Sequence, residues 1–147
     1  MKKDEFSGTV ITLDIFRCSV LIFVGKDEDT ILKGLPGYWE SQEWETKDLK
    51  RVKGLLKDVF DDKDNDIAAG TMIPDGVDAI IVFPNKNIAE VSEEKALHEL
   101  GHAMRHICRV HGVDDEETEM YMHEYLFHQF LCAQDDYNDN KVKRIKV

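Results

Sequence analysis

The stretch SEEKALHELGHAMRHICRVHG, residues 92–112, decides how the rest of the chain is read. Ser92, followed by Glu94 and Lys95, opens a helix, and His111-Gly112 closes it with a glycine C-cap signal. Inside it lies His98-Glu99-Leu100-Gly101-His102, an HExxH motif. Residues at i and i+4 project from one side of a helix, one turn apart, so both imidazoles can reach a single Zn²⁺. Glu99 between them lies close enough to polarise a metal-bound water. At about 100° per residue, Ala96, Leu97, Leu100, Ala103, Met104, Ile107 and Val110 form a broad apolar side. His98, His102, Arg105, His106 and Arg109 fall opposite, and Glu99 projects between the two. The histidines therefore face a cleft or a second element.

A second helix follows. Asp114 with Glu117 makes a capping-box-like start, and helical spacing continues to about Cys132. Met122, Leu126, Phe127 and Phe130 define its inner face, with Glu119 and His123 within that face. A carboxylate on an apolar face costs several kcal/mol unless something pairs with it, and zinc would be that partner. Glu119 is thus the first choice for a third ligand, with His123 and Glu116 as alternatives. A continuation HExxHxxGxxH would need Gly at 105 and His at 108, where the chain has Arg105 and Cys108.

Upstream, Thr9–Phe16 and Ser19–Val24 are rich in β-branched and aromatic residues and read as a hairpin around Arg17-Cys18. Pro36-Gly37 marks Leu35–Glu45 as a loop, whose Tyr38, Trp39 and Trp44 either line a groove or anchor the loop to the core. Thr46 caps a helix with Leu49, Val52, Leu55, Leu56 and Val59 at helical spacing. The run Asp61–Asp66 lacks the Gly and the bidentate Glu of an EF-hand, because Ile67 and Ile73 occupy those places, and reads as a solvated acidic turn. Ile67–Ile73 and Asp78–Phe83 are further strands, with a turn at Pro74-Asp75-Gly76.

At 147 residues the chain suits one domain able to bury its own core. Residues 1–91 would carry the sheet, loop and first helix, 92–133 the metal-binding helices, and 134–147 a tail, whose locally basic Lys141–Lys146 reads as a tail or short end strand. The net charge of −11 argues against a nucleic-acid partner. Three unpaired-looking cysteines, no N-terminal apolar segment and no run of membrane length lead us to expect a cytoplasmic protein with no membrane partner. The expected fold is α+β: a small, twisted, mostly antiparallel sheet packed against the HExxH helix, followed by the glutamate helix.

The pattern His-Glu-Leu-Gly-His-Ala at 98–103, His-Gly-Val at 111–113 and Glu-Met-Tyr-Met-His-Glu-Tyr-Leu at 119–126 resembles the gluzincin group of metallopeptidases. It is similar to compact HExxH proteins of prophages and mobile elements and to the ImmA/IrrE-type peptidases, over roughly residues 77–131. The resemblance implies a minimal zincin-like fold with Zn²⁺ on His98, His102 and Glu119 and a water in the fourth position. It further implies a peptide or protein substrate, and Glu99 as the base that activates that water. The strand Asp78–Phe83 would be the sheet edge on which an extended substrate pairs. His106, His123 and Tyr121 are candidates for stabilising the oxyanion. Two rival readings are a zinc-stabilised binding or structural protein without turnover, and a phage accessory protein whose HExxH is accidental.

Overall fold

The computed structural model describes residues 5–38, 46–60, 70–72, 79–139 and 144–146. Strands β1 (Glu5–Leu13) and β2 (Cys18–Val24) form the expected antiparallel hairpin, with Ser7 opposite Val24 and Leu13 opposite Cys18. The first strand starts and stops earlier than its composition suggests. Asp14–Phe16 coil into a 3-10 turn, and Arg17 takes a left-handed φ of 51° to bring the chain back. That tight reversal consumes the apolar residues Ile15 and Phe16 that otherwise read as strand.

Strand β4 (Ala79–Phe83) lies parallel to β2, with Val20 opposite Ala79 and Val24 opposite Phe83. Two short strands flank this centre: β3 (Gly70–Met72) is antiparallel to β4, and β5 (Arg144–Lys146) is antiparallel to β1. The order is β3-β4-β2-β1-β5, a mixed sheet with three antiparallel pairings and one parallel. Parallel neighbours need a crossover. Here helices α1 (Glu28–Tyr38) and α2 (Thr46–Phe60) lie in the chain between β2 and β4.

The chain is α+β as expected, with helices on both faces of the sheet. Side chains alternate along β2 and β4, and both faces are buried. Val20, Ile22, Val24, Ala79, Ile81 and Phe83 join a core with helices α3 (Glu93–Val110) and α4 (Glu116–Asn138). Leu21, Phe23, Ile80 and Val82 join a second core with α1 and α2. Each such large side chain, fully buried, contributes about 1.5–3 kcal/mol. The protein is thus layered helix–sheet–helix, and β2 and β4 read as unbroken apolar runs because both faces are covered.

Two other expectations change. Strand β4 is not a sheet edge, since β3 pairs with Ile80–Val82 along its outer side, so β3 takes the edge position. The segment from Leu35 is not loop at its start, because α1 runs through Pro36 to Tyr38. The short end strand read as one alternative for the basic C-terminal stretch is present, since Arg144–Lys146 join the sheet, and α4 continues to Asn138, past its expected end near Cys132. The aromatic residues Trp39 and Trp44, the acidic run Asp61–Asp66 and the turn Pro74-Asp75-Gly76 lie outside the described residues.

Helix α1 starts on Asp27, whose Oδ1 accepts the Thr30 N–H at 2.8 Å. It then passes so close to β1 that a Cβ on Gly34 would collide with the Phe6 ring. Phe6 is itself fully buried against Phe23, with ring centroids 5.9 Å apart. The Thr30 N–H holds the Asp27 carboxyl below its ordinary range. A carboxyl depressed in the folded state adds stability above the unfolded pKa near ~3.9, and loses it as pH falls through the folded value. Asp27→Ala should therefore cost about 1 kcal/mol at neutral pH. Denaturant unfolding at several pH values checks this, and the difference from wild type should shrink below about pH 4.

Candidate metal centre

Helix α3 begins and ends where its sequence signals stand. The Ser92 hydroxyl accepts the Lys95 N–H at 3.2 Å, and Glu93 and Glu94 occupy the first turn. At the other end Gly112 takes φ +69°, the Gly112 N–H donates to the Arg109 carbonyl at 3.2 Å, and the Val113 N–H donates to the Cys108 carbonyl at 2.8 Å. This is a Schellman closure, and it needs a glycine at its left-handed position. The Phe16 and His111 rings stack at 4.8 Å, which ties the hairpin end to this cap.

The buried face of α3 is Ala96, Glu99, Leu100, Ala103, Met104, Ile107 and Cys108. That set follows the i, i+3, i+4 repeat closely. The apolar side expected from composition was rotated slightly: Leu97 and Val110 are exposed, and Glu99 and Cys108 take their places inward. Glu99, which its spacing sets between the two sides, is drawn inward, with only 8% of its surface exposed.

His98 and His102 are exposed on the opposite side, with Nε2 atoms 3.0 Å apart and rings nearly perpendicular at 87°. At that separation one Nε2–H can donate to the other ring's lone pair. Two nitrogens held 2.0–2.1 Å from a tetrahedral ion lie about 3.3 Å apart. The observed spacing is within a small rotamer adjustment of that bite, so the pair fits a metal ion. Among the described residues, no group of three His, Cys, Asp or Glu side chains gathers around one point.

Helix α4 returns antiparallel beside α3. Its N-cap is Asp115, one residue beyond the expected Asp114; Asp115 Oδ1 accepts the Glu117 N–H at 3.2 Å, and Oδ2 accepts the Thr118 hydroxyl at 2.6 Å. Leu126 and Phe130 are buried, and Met122 and Phe127 pack against the same core, as the spacing predicts. Ala133 and Tyr137 extend that face beyond the predicted end, and the Tyr137 hydroxyl donates to Glu5 Oε2 at 2.5 Å.

The two inward polar residues of α4 meet different parts of α3. His123 is half-buried, and its Nε2–H donates to the Leu97 carbonyl at 2.8 Å. A Cβ on Gly101 would sit 3.2 Å from His123 Cε1, so the glycine of the motif makes room for this ring. Glu119 lies further along, at a cleft with Arg105, Cys108 and Arg109, and not beside the Gly101 turn. Burial, and then the Glu119 charge, raise the Cys108 thiol above its ordinary value. Glu116 is exposed on the rim of the same cleft. His106 is exposed one turn beyond His102. Tyr121 is exposed, and its hydroxyl donates to Glu117 Oε1 at 3.3 Å within its own helix.

One positioning residue has no sequence signal. Gln134 Nε2 donates to the carbonyls of Ile88 and Val91, both at 3.0 Å, and so fastens the entry to α3 from 43 residues away or more. Sequence periodicity reports faces, not such long-range amide contacts.

The chain matches no protein-family model, no curated protein and no solved structure. No described helix is long and apolar enough to cross a membrane.

Zinc should raise the thermal unfolding temperature of the wild type, and chelator should reverse the rise. His98→Ala and His102→Ala, both at exposed positions, should each abolish the zinc response while leaving the metal-free unfolding temperature nearly unchanged. Paired thermal scans with and without zinc check this.

Proposed function

We propose that the protein is a zinc-dependent metallopeptidase-like hydrolase of peptide bonds, with a zincin-like arrangement of its motif helix. The observation that carries this reading is the pair of exposed imidazoles, His98 and His102, with their Nε2 atoms 3.0 Å apart on a helix that also carries Glu99. Zinc bound there would supply a Lewis acid and a water ionising near pH ~7.

For the third ligand, His123 is preferred over Glu119. Its ring lies near Gly101, the residue before His102, where an added Cβ would come within 3.2 Å of Cε1, and among the described residues its hydrogen-bond partner is the Leu97 carbonyl. Glu119 instead faces Cys108 and the two arginines. Glu99 is the general base: its carboxylate takes a proton from the attacking water and returns it to the leaving amine. Its low exposure favours that role, because few solvent molecules compete for the carboxylate. His106, exposed on the histidine side, is the available donor for the developing oxyanion, since the Tyr121 hydroxyl is engaged within α4.

Substrate pairing moves to a new strand. Helix α3 packs against both β4 and β3, and β3 holds the sheet edge beside it. An extended peptide would add to β3 as a further strand, with backbone hydrogen bonds giving affinity.

The test is Glu99→Gln. Zinc content should equal that of the wild type, while cleavage of a denatured protein substrate should fall by about 10²-fold or more. Wild-type protein that holds zinc and cleaves nothing would leave the reading of a zinc-stabilised binding protein without turnover. His123→Ala should weaken zinc binding more than Glu119→Ala; the reverse order would restore Glu119 as the ligand.

A further inference from the structure

Beyond the histidine pair, a charged cleft opens between the last turns of α3 and the first turn of α4. Its volume is about 220 Å³, and Arg105, Cys108, Arg109, Asp114, Glu116 and Glu119 line it. That is room for roughly seven waters at about 30 Å³ each. It is smaller than drug-sized sites of roughly 300–1,000 Å³, and suits a group the size of an amino acid.

The charges are sorted by element. Arg105 and Arg109 stand at i and i+4 on α3, so their guanidiniums share one wall. The carboxylates of Asp114, Glu116 and Glu119 come from the connecting turn and α4. Among the described residues, none of these five side chains closes an ion pair with another. Cys108 at the floor is 1% exposed and stays a neutral thiol. Two arginines against three carboxylates leave the lining with a formal charge of −1. A unit with one carboxylate and two cations complements it group by group: guanidinium pairs bind carboxylates bidentately, and carboxylates accept from ammonium or guanidinium.

We propose that this cleft binds a basic α-amino acid, its carboxylate on Arg105 and Arg109 and its cationic groups on Asp114, Glu116 and Glu119. A peptide ending in arginine or lysine offers the same carboxylate and basic side chain without the free α-ammonium. The proposal does not rest on zinc at the histidine pair, and its test is run on the full chain with chelator present.

L-arginine is titrated into the protein at low ionic strength while backbone amide signals are followed by NMR. Saturable shifts confined to the cleft residues are expected. Arg109→Gln and Glu119→Gln should each weaken binding about tenfold or more, equivalent to about 1.4 kcal/mol. Arginine amide, which lacks the carboxylate, should bind at least as much more weakly. N-acetyl-arginine separates the sources: weaker binding than arginine marks a free amino acid as the ligand, and equal binding marks a peptide end. Absence of saturable shifts at the cleft, binding unchanged in both variants, or arginine amide binding as tightly as arginine would overturn the proposal.

Discussion

Strands β2 and β4 bury apolar side chains on both faces, and their parallel ladder admits no tight connection. These two constraints govern the architecture. A strand pair with Leu21, Phe23, Ile80 and Val82 on one side and Val20, Ile22, Ile81 and Phe83 on the other must be covered twice. The crossover that a parallel pairing demands supplies α1 and α2 for the first face. The chain beyond β4 then supplies α3 and α4 for the second. Helix α3 thereby turns one stripe onto the sheet and leaves the opposite side, with His98 and His102, open to solvent.

The exposed side of α3 is arranged as carefully as its buried side. Capping fixes both ends of the helix, and Gln134 fastens the segment that enters it. The Gly101 backbone allows α4 to approach until His123 reaches the Leu97 carbonyl. The consequence is a histidine pair with its side chains already oriented, flanked by a third imidazole one helix away. Past it, towards the end of α3, the chemistry changes from imidazoles to guanidiniums opposed by carboxylates. The proposed zinc site and the proposed amino-acid cleft are thus neighbouring segments of the same helix pair.

Much of this was legible in the sequence, and the failures have physical causes. The hairpin, β4, α2 and both ends of α3 follow from β-branched runs, helical spacing and a Ser–Gly pair of caps. Helix α1 was missed because Pro36 and Gly37 are breakers by propensity; the helix tolerates them near its C-terminus, while Asp27 and Ile31 secure its start. The inward position of Glu99 was missed because a hydrophobicity stripe excludes charged residues by construction. The buried set Ala96, Ala103 and Ile107 nevertheless carries the i, i+3, i+4 repeat that includes it. Glu119 attracted the ligand reading because it shares a helix face with apolar residues. Pattern alone could not say which turn of α3 it would meet, and that depends on the length and cap of the connecting turn. The edge role of β4 failed for a similar reason, since strand order is a tertiary property.

The central claim is that His98 and His102 bind one zinc ion together. X-ray absorption at the zinc edge, on protein purified with the metal and freed of excess, measures this directly. The expected result is one zinc per chain, nitrogen or oxygen ligands at about 2.0–2.1 Å, and the outer-shell scattering of at least two imidazoles. A sample that retains no stoichiometric zinc, or a zinc shell without imidazole scattering, would contradict it.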